Sequence, residues 1–296
     1  MVEAKSVNAK SVETKFVDVR GVRTRYLEAG SAAPILLLHG GQAGAIACAE
    51  DWRPILEPLG RDFRVLAIDK EGCGFSDNPR SDDDYMLSGT VRHARAFLQA
   101  LGIERAHVVG HSRGGYGATR LALDHPEVVR TLINVSSGTL MGGPTPYAQW
   151  AEQMRAMKNP RERVRFCYAV NSYSDAHIDE ALLDTMVEVL ARPQFQEAQH
   201  KAHVLAAPFA EAMNAETAEA RARIAAGGLK MPALVMWGYN DPSATFDPKG
   251  MAAIRLFLSS VERSEAHVIA RAGHYSYREQ PQAFVAAVAD FIKRHG

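Results

Sequence analysis

The chain is poor in cysteine: its 296 residues include only Cys48, Cys73 and Cys167, set far apart. That spacing excludes a disulfide framework and a clustered-thiol metal site, and it points to a reducing, cytoplasmic setting. Neither sign of charge is in excess, with 34 Lys and Arg against 34 Asp and Glu. A neutral chain without a basic stripe is not built to hold nucleic acid. Long apolar runs are also missing, and none approaches the ~20 residues that cross a bilayer. The first 15 residues set Lys5, Lys10 and Lys15 beside Glu3 and Glu13 with no apolar centre, so they do not read as a secretory signal. Their doubled Ala-Lys-Ser-Val, at 4–7 and 9–12, predicts only a flexible, solvated arm over 1–15. What remains, 47% hydrophobic and 23% charged, suits a globular protein with a large core.

Past the arm, residues 16–20 and 22–27 alternate with period two around Gly21, which predicts a hairpin. Residues 34–38, 63–69 and 106–109 are apolar on both faces, as buried parallel strands are. Between them Trp52, Ile55, Leu56 and Leu59, then Val91, Ala94, Phe97, Leu98 and Leu101, recur at helical spacing. A further strand is expected at 131–135. From about 139 to 228 no strand pattern occurs, and five helical stretches are punctuated by Pro144, Pro146, Pro160, Pro193 and Pro208. Strands at 233–237 and 267–270 and helices at 247–259 and 281–294 follow. The pattern predicts an α/β fold: a mostly parallel sheet of eight strands flanked by helices, with a core of 16–138 and 229–296 and a helical lid over 139–228.

The stretch that carries chemistry is Gly110-His111-Ser112-Arg113-Gly114, set between an apolar strand and a helical pattern. This is the spacing of a nucleophile elbow, a sharp strand-to-helix turn that exposes a serine hydroxyl. The following helix aims backbone N–H groups and its positive dipole end at the same spot. A serine nucleophile needs a base, and the base needs an acid to orient it. His274 directly follows the last strand, at the sheet edge where open α/β folds bind ligands. Asp241 follows the strand at 233–237 and gives the chain order Ser, Asp, His; Asp247 is its rival. His111 is read as pointing away from the serine, and His200 and His203 as surface or lid residues. Gly41 and Arg113 are the expected oxyanion donors through their backbone N–H groups, each worth about 3 kcal/mol in the transition state. Gly40, Gln42 and Tyr275 are expected to contact substrate. No metal or other cofactor is expected.

These residues together resemble the α/β-hydrolase family. Within it, His39-Gly40-Gly41, Gly72-Cys73-Gly74-Phe75-Ser76-Asp77, Gly114-Gly115 and Gly273-His274 with Tyr277-Arg278-Glu279 resemble the meta-cleavage-product hydrolases. Those enzymes split the C–C bond of 2-hydroxy-6-oxo-dienoates formed when catechols are ring-opened. The resemblance implies a substrate site between lid and core. Several positions depart from it: His111 and Arg113 flank the serine where the relatives have a small or amide residue and an apolar one. Tyr275 replaces a tryptophan, and Glu50 stands near an asparagine position. A lid arginine that binds the dienoate carboxylate falls near Met186, which leaves Arg113 or Arg192 to replace it.

The leading expectation is serine-dependent cleavage of a C–C bond beside a carbonyl in a dienoate or diketone. Carboxylic-ester or lactone hydrolysis by the same triad is the alternative, a haloperoxidase-like side activity stays open, and a non-catalytic receptor of this fold is a remote one. Tyr147, Trp150, Phe166, Tyr168, Tyr173 and Phe195 in the lid favour a small-molecule carbonyl substrate with an apolar or aromatic body. No nucleic-acid or membrane partner is expected, and a homo-oligomer is left open.

Overall fold

In this computed structural model, which describes residues 12–296, the chain enters the sheet as a hairpin. Strands β1 (Glu13–Val19) and β2 (Val22–Ala29) pair antiparallel across Arg20 and Gly21, both at positive φ. β1 therefore starts inside the stretch expected to be an arm, and residues 1–11 of that expectation lie outside the described residues.

Strands then alternate with helices: β3 (Pro34–Leu38), α1 (Arg53–Gly60), β4 (Arg64–Ile68), α2 (Leu87–Ala100), β5 (Ala106–His111), α3 (Arg113–Asp124) and β6 (Val129–Val135). Six helices follow without a strand: α4 (Gly138–Met141), α5 (Tyr147–Ala156), α6 (Pro160–Ala169), α7 (Glu180–Ala191), α8 (Pro193–Val204) and α9 (Ala206–Ala225). The alternation resumes with β7 (Ala233–Gly238), α10 (Met251–Ser260), β8 (Ser264–Ile269), α11 (Ser276–Glu279) and α12 (Pro281–His295). The sheet order is β1-β2-β4-β3-β5-β6-β7-β8, with β2 antiparallel to both its neighbours and every pairing from β4 to β8 parallel.

Strands apolar on both faces feed two cores. Ile35, Leu37, Val65 and Ala67 pack with Trp52, Phe284 and Val288 on one side of the sheet. Their neighbours Leu36, Leu38, Leu66 and Ile68 pack with Phe97, Tyr116 and Leu121 on the other. In the insertion, local signals set the helix starts. The Asn159 side chain accepts the Arg161 N–H at 2.9 Å with Pro160 in the first turn, and Asp179 accepts the Leu182 N–H at 2.8 Å.

Two boundaries differ from the sequence reading. The helix expected from 247 begins at Met251, because residues 246–250 form a wider turn around Asp247. β8 begins at Ser264 rather than 267: as an edge strand it pairs by backbone alone, Ser264 opposite Ala233, and needs no apolar alternation.

Candidate active site

Ser112 sits between the end of β5 and the start of α3 with φ 55 and ψ −118, a backbone region that L-residues rarely adopt. The turn is held by the Ser112 N–H on the Val135 carbonyl at 2.9 Å and by the Ser137 hydroxyl on the Ser112 carbonyl at 2.8 Å. It is too tight for side chains on either flank: a Cβ on Gly110 would lie 2.2 Å from the Gly114 carbonyl oxygen, and one on Gly114 2.2 Å from that of Leu38.

The loops after β7 and β8 supply an acid and an imidazole already joined. Asp241 Oδ2 lies 2.6 Å from His274 Nδ1. The other carboxyl oxygen accepts the N–H groups of Ser243 and Ala244 at 2.9 and 2.8 Å and the Ser243 hydroxyl at 3.1 Å. Four bonds thus fix a carboxyl that is 3% exposed. With Nδ1 engaged, Nε2 is the ring nitrogen left for proton transfer. The rival Asp247 is exposed in the turn before α10 and makes no such contact.

The histidine loop is anchored to the helical insertion. The His274 N–H donates to the Asn171 carbonyl at 2.8 Å. Glu279 accepts the Gly273 N–H through one oxygen, and the N–H groups of Tyr173 and Ser174 through the other. The buried Arg278 guanidinium donates to the Glu50, Asp51 and His177 carbonyls and to the Asp179 carboxyl.

Opposite, the turn after β3 is held from below. His39 Nδ1 bonds the Gly40 carbonyl at 2.7 Å, and its Nε2 accepts the Lys70 N–H at 3.1 Å. The Lys70 ammonium donates to the Gly41 carbonyl at 2.6 Å, and burial pulls its pKa down to about 8. Sequence reasoning missed Lys70, whose position in the loop just past β4 was the available signal.

Ser112, His274, Tyr275, Gly40 and Gly41 line one cavity of about 920 Å³, at the carboxyl ends of the parallel strands. Arg113 lines it too, with its side chain on Gln42 Oε1 at 2.6 Å and over the Phe209 ring. Gln42 itself lines a small adjoining hollow with Lys70 and Glu71 rather than this cavity. His111, read from sequence as turned away, lines the cavity; its ring centroid is 4.4 Å from that of His274 and its Nδ1 meets the Tyr277 hydroxyl. Burial, then the neighbouring His274, holds its pKa well below the ordinary value. His200 and His203, expected to be surface or lid residues, are exposed on α8 yet also line the cavity.

Helices of the insertion form the far wall, through Tyr147 of α5, Phe195 of α8 and one side of α6. Arg163 and Cys167, four residues apart, fall on that side, and Asn171, four further on, lies just past the end of the helix. Arg192 does not reach the cavity: it donates to the Gly74 carbonyl and lies over Phe75. Met186 is fully buried among apolar side chains, and Glu50 is paired with Arg25 and Arg53. Arg163 was missed by the sequence reading; it has no carboxylate partner among the described residues, and its Nε is buried without an acceptor.

Comparison with known proteins matches residues 33–281 to the α/β hydrolase fold family. The chain is 27% identical to a 2-hydroxy-6-oxo-6-(2'-aminophenyl)hexa-2,4-dienoic acid hydrolase of Metapseudomonas resinovorans, over 93% of this chain and 89% of that protein. It is 29% identical to a 2-hydroxymuconate semialdehyde hydrolase of Pseudomonas sp. strain CF600, over 92% and 91%. Among solved structures, a meta-cleavage product hydrolase variant from Pseudomonas fluorescens IP01 superposes with a TM-score of 0.76 at 25% identity, covering 95% of this chain and 97% of that one.

Proposed function

From the premise that this chain belongs to the α/β-hydrolase family, we propose that it is a serine hydrolase cleaving a C–C bond beside a carbonyl, in a dienoate or diketone related to meta-cleavage products. The observation that carries the reading is the buried Asp241–His274 pair in the wall of the cavity that Ser112 also lines. The names of the relatives supply the substrate class.

Asp241 holds the His274 ring with Nδ1 as its donor, so Nε2 takes protons as a base and returns them as an acid. A dienol substrate must first become its keto tautomer, so that the departing carbon leaves as a stabilised carbanion equivalent; His274 moves that proton. It then activates Ser112 or a water against the carbonyl. The N–H groups of Gly41 and Arg113 hold the resulting oxyanion. When the C–C bond breaks, its electron pair and a proton go to the leaving carbon, and the hydroxyl of water ends on the acyl carbon. Arg163 binds the substrate carboxylate, the role that sequence had left to Arg113 or Arg192. The rest of the cavity takes the substrate's apolar body, and the insertion serves as the lid.

The test is steady-state turnover of 2-hydroxy-6-oxo-6-phenylhexa-2,4-dienoate and 4-nitrophenyl butyrate by the wild type and by Ser112→Ala. Dienoate cleavage that disappears in the variant supports the proposal. Ester turnover without dienoate cleavage leaves the esterase reading in its place.

A further inference from the structure

Asp51 plays no part in the mechanism above, yet it lines the same cavity at 1% exposure. One carboxyl oxygen, Oδ1, is bonded to the Tyr168 hydroxyl at 2.5 Å. The other, Oδ2, is buried and has no protein partner. A buried polar atom left unpaired costs about 1–3 kcal/mol, so a folded protein rarely keeps one without use. We propose that Asp51 is a substrate-binding residue whose Oδ2 donates a hydrogen bond to a carbonyl oxygen of the bound substrate. This rests on the reading of the cavity as the substrate site and adds a polar contact to it.

The donor form follows from the surroundings. Burial raises the Asp51 pKa to about 7, against the opposing pull of the Tyr168 hydroxyl and the Arg278 guanidinium. A neutral carboxyl has one O–H to give, the means by which an apolar site turns an acid into a hydrogen-bond donor. Above neutrality Asp51 becomes a carboxylate, which has no proton to donate and meets a substrate oxygen with like charge.

Most of its titratable neighbours are moved out of that window, and His274, in the same cavity, is common to every variant compared below. On α6 and in the histidine loop, burial drives the hydroxyls of Tyr168, Tyr275 and Tyr277 far upward. The thiols of Cys73 and Cys167 are pushed up to about 12 and that of Cys48 is raised well above its ordinary value, again by burial. Asp69, after β4, is raised by burial and bonded to Arg25. Lys70, at about 8, titrates within the window, but it is common to every variant compared below.

The test measures binding apart from turnover. In a Ser112→Ala background, the dissociation constant of 2-hydroxy-6-oxo-6-phenylhexa-2,4-dienoate is read from its absorbance between about pH 6 and pH 9. Steady-state kinetics on the nitrophenyl ester are followed in parallel, both with Ser112 present and in the Ser112→Ala background. Binding to the parent should weaken about tenfold or more across this range, as proton linkage requires. Asp51→Asn, whose amide N–H₂ donates at every pH, should hold that change to about threefold or less. Asp51→Leu should bind about fivefold more weakly at pH 6, with no pH trend of its own. The same pH trend in parent and Asp51→Asn overturns the proposal, as does parent-like affinity in Asp51→Leu at pH 6. If Asp51→Leu does not fold, the Asp51→Asn comparison decides alone. Failure of the hydrolase reading looks different: ester turnover then survives Ser112→Ala, whatever Asp51 does.

Discussion

The two walls of the cavity are built on opposite principles. On the sheet side, most polar groups already have their partners, with His111 Nε2 the buried exception. Asp241 is held by His274, Ser243 and Ala244; the Gly41 carbonyl has the Lys70 ammonium, and the Ser112 carbonyl has Ser137. On the insertion side, Arg163 Nε and Asn171 Oδ1 are buried and unpartnered, and His200 and His203 stand exposed at the rim. Asp51, bonded on one side only, lies on the seam between them. A wall that is internally satisfied suits chemistry, because reacting groups need fixed positions before the substrate arrives. A wall with spare donors and acceptors suits recognition, because only the right ligand completes it.

If this division is correct, damage to the sheet side should fall on kcat and damage to the insertion side on KM. The largest effect is expected from Asp241→Asn, which favours the wrong imidazole tautomer and should lower kcat about 10⁴-fold with the fold intact. Asp247→Asn should leave kcat within about twofold, since its side chain is exposed and away from His274. The reverse ranking in a kinetic comparison would move the acid to the other loop.

Next in size is Arg163→Met. It should raise KM for a carboxylate-bearing dienoate about tenfold or more, the worth of a charge-assisted hydrogen bond. KM for a neutral nitrophenyl ester should barely change. Equal losses on both substrates would make Arg163 a packing residue, not an anion site.

Asp51→Asn should also change stability in a pH-dependent way, read from denaturant midpoints. The folded-state pKa of Asp51, about 7, lies above the ordinary 3.8. Its favourable contribution is therefore complete below about pH 4 and lost as the pH climbs to 7, at a cost of as much as about 4 kcal/mol. The amide carries no such cost, so the variant should gain on the wild type between pH 5 and pH 8. A constant difference across that range would mean that Asp51 is ionised throughout. The smallest effect is expected from Arg192→Met, whose guanidinium serves Gly74 and Phe75, with KM for the dienoate unchanged within about twofold.

The same contrast explains what the sequence made legible. Strands apolar on both faces, such as residues 34–38, carry their burial in their composition, so the sheet and the presence of a helical insertion followed from periodicity. Asp241 and His274 were reachable because each lies in the loop that follows a strand, and topology sends such positions to one edge. Asp51, Arg163 and Asn171 were not, because what marks them is a missing partner, a property of packing that no local pattern records. The one local clue was the four-residue spacing of Arg163, Cys167 and Asn171. His111 was misjudged for a related reason: the elbow sets where its Cα lies, but Tyr277 and His274 set where its ring rests.

Arg278 bears on how far this molecule can be rebuilt. Its guanidinium grips the loop before α1 and residues 177–179 of the insertion at once, while its own backbone belongs to the segment that follows His274. Glu279, next in the chain, does the same for residues 173–174. The insertion is therefore not a free cassette, although it looks like one along the chain. A chimera that borrows these helices from a relative inherits a socket shaped for that relative's own residues at these two places. Graft boundaries drawn at the ends of the insertion would cut across the stitching, and successful exchange calls for moving α11 (276–279) together with the helices.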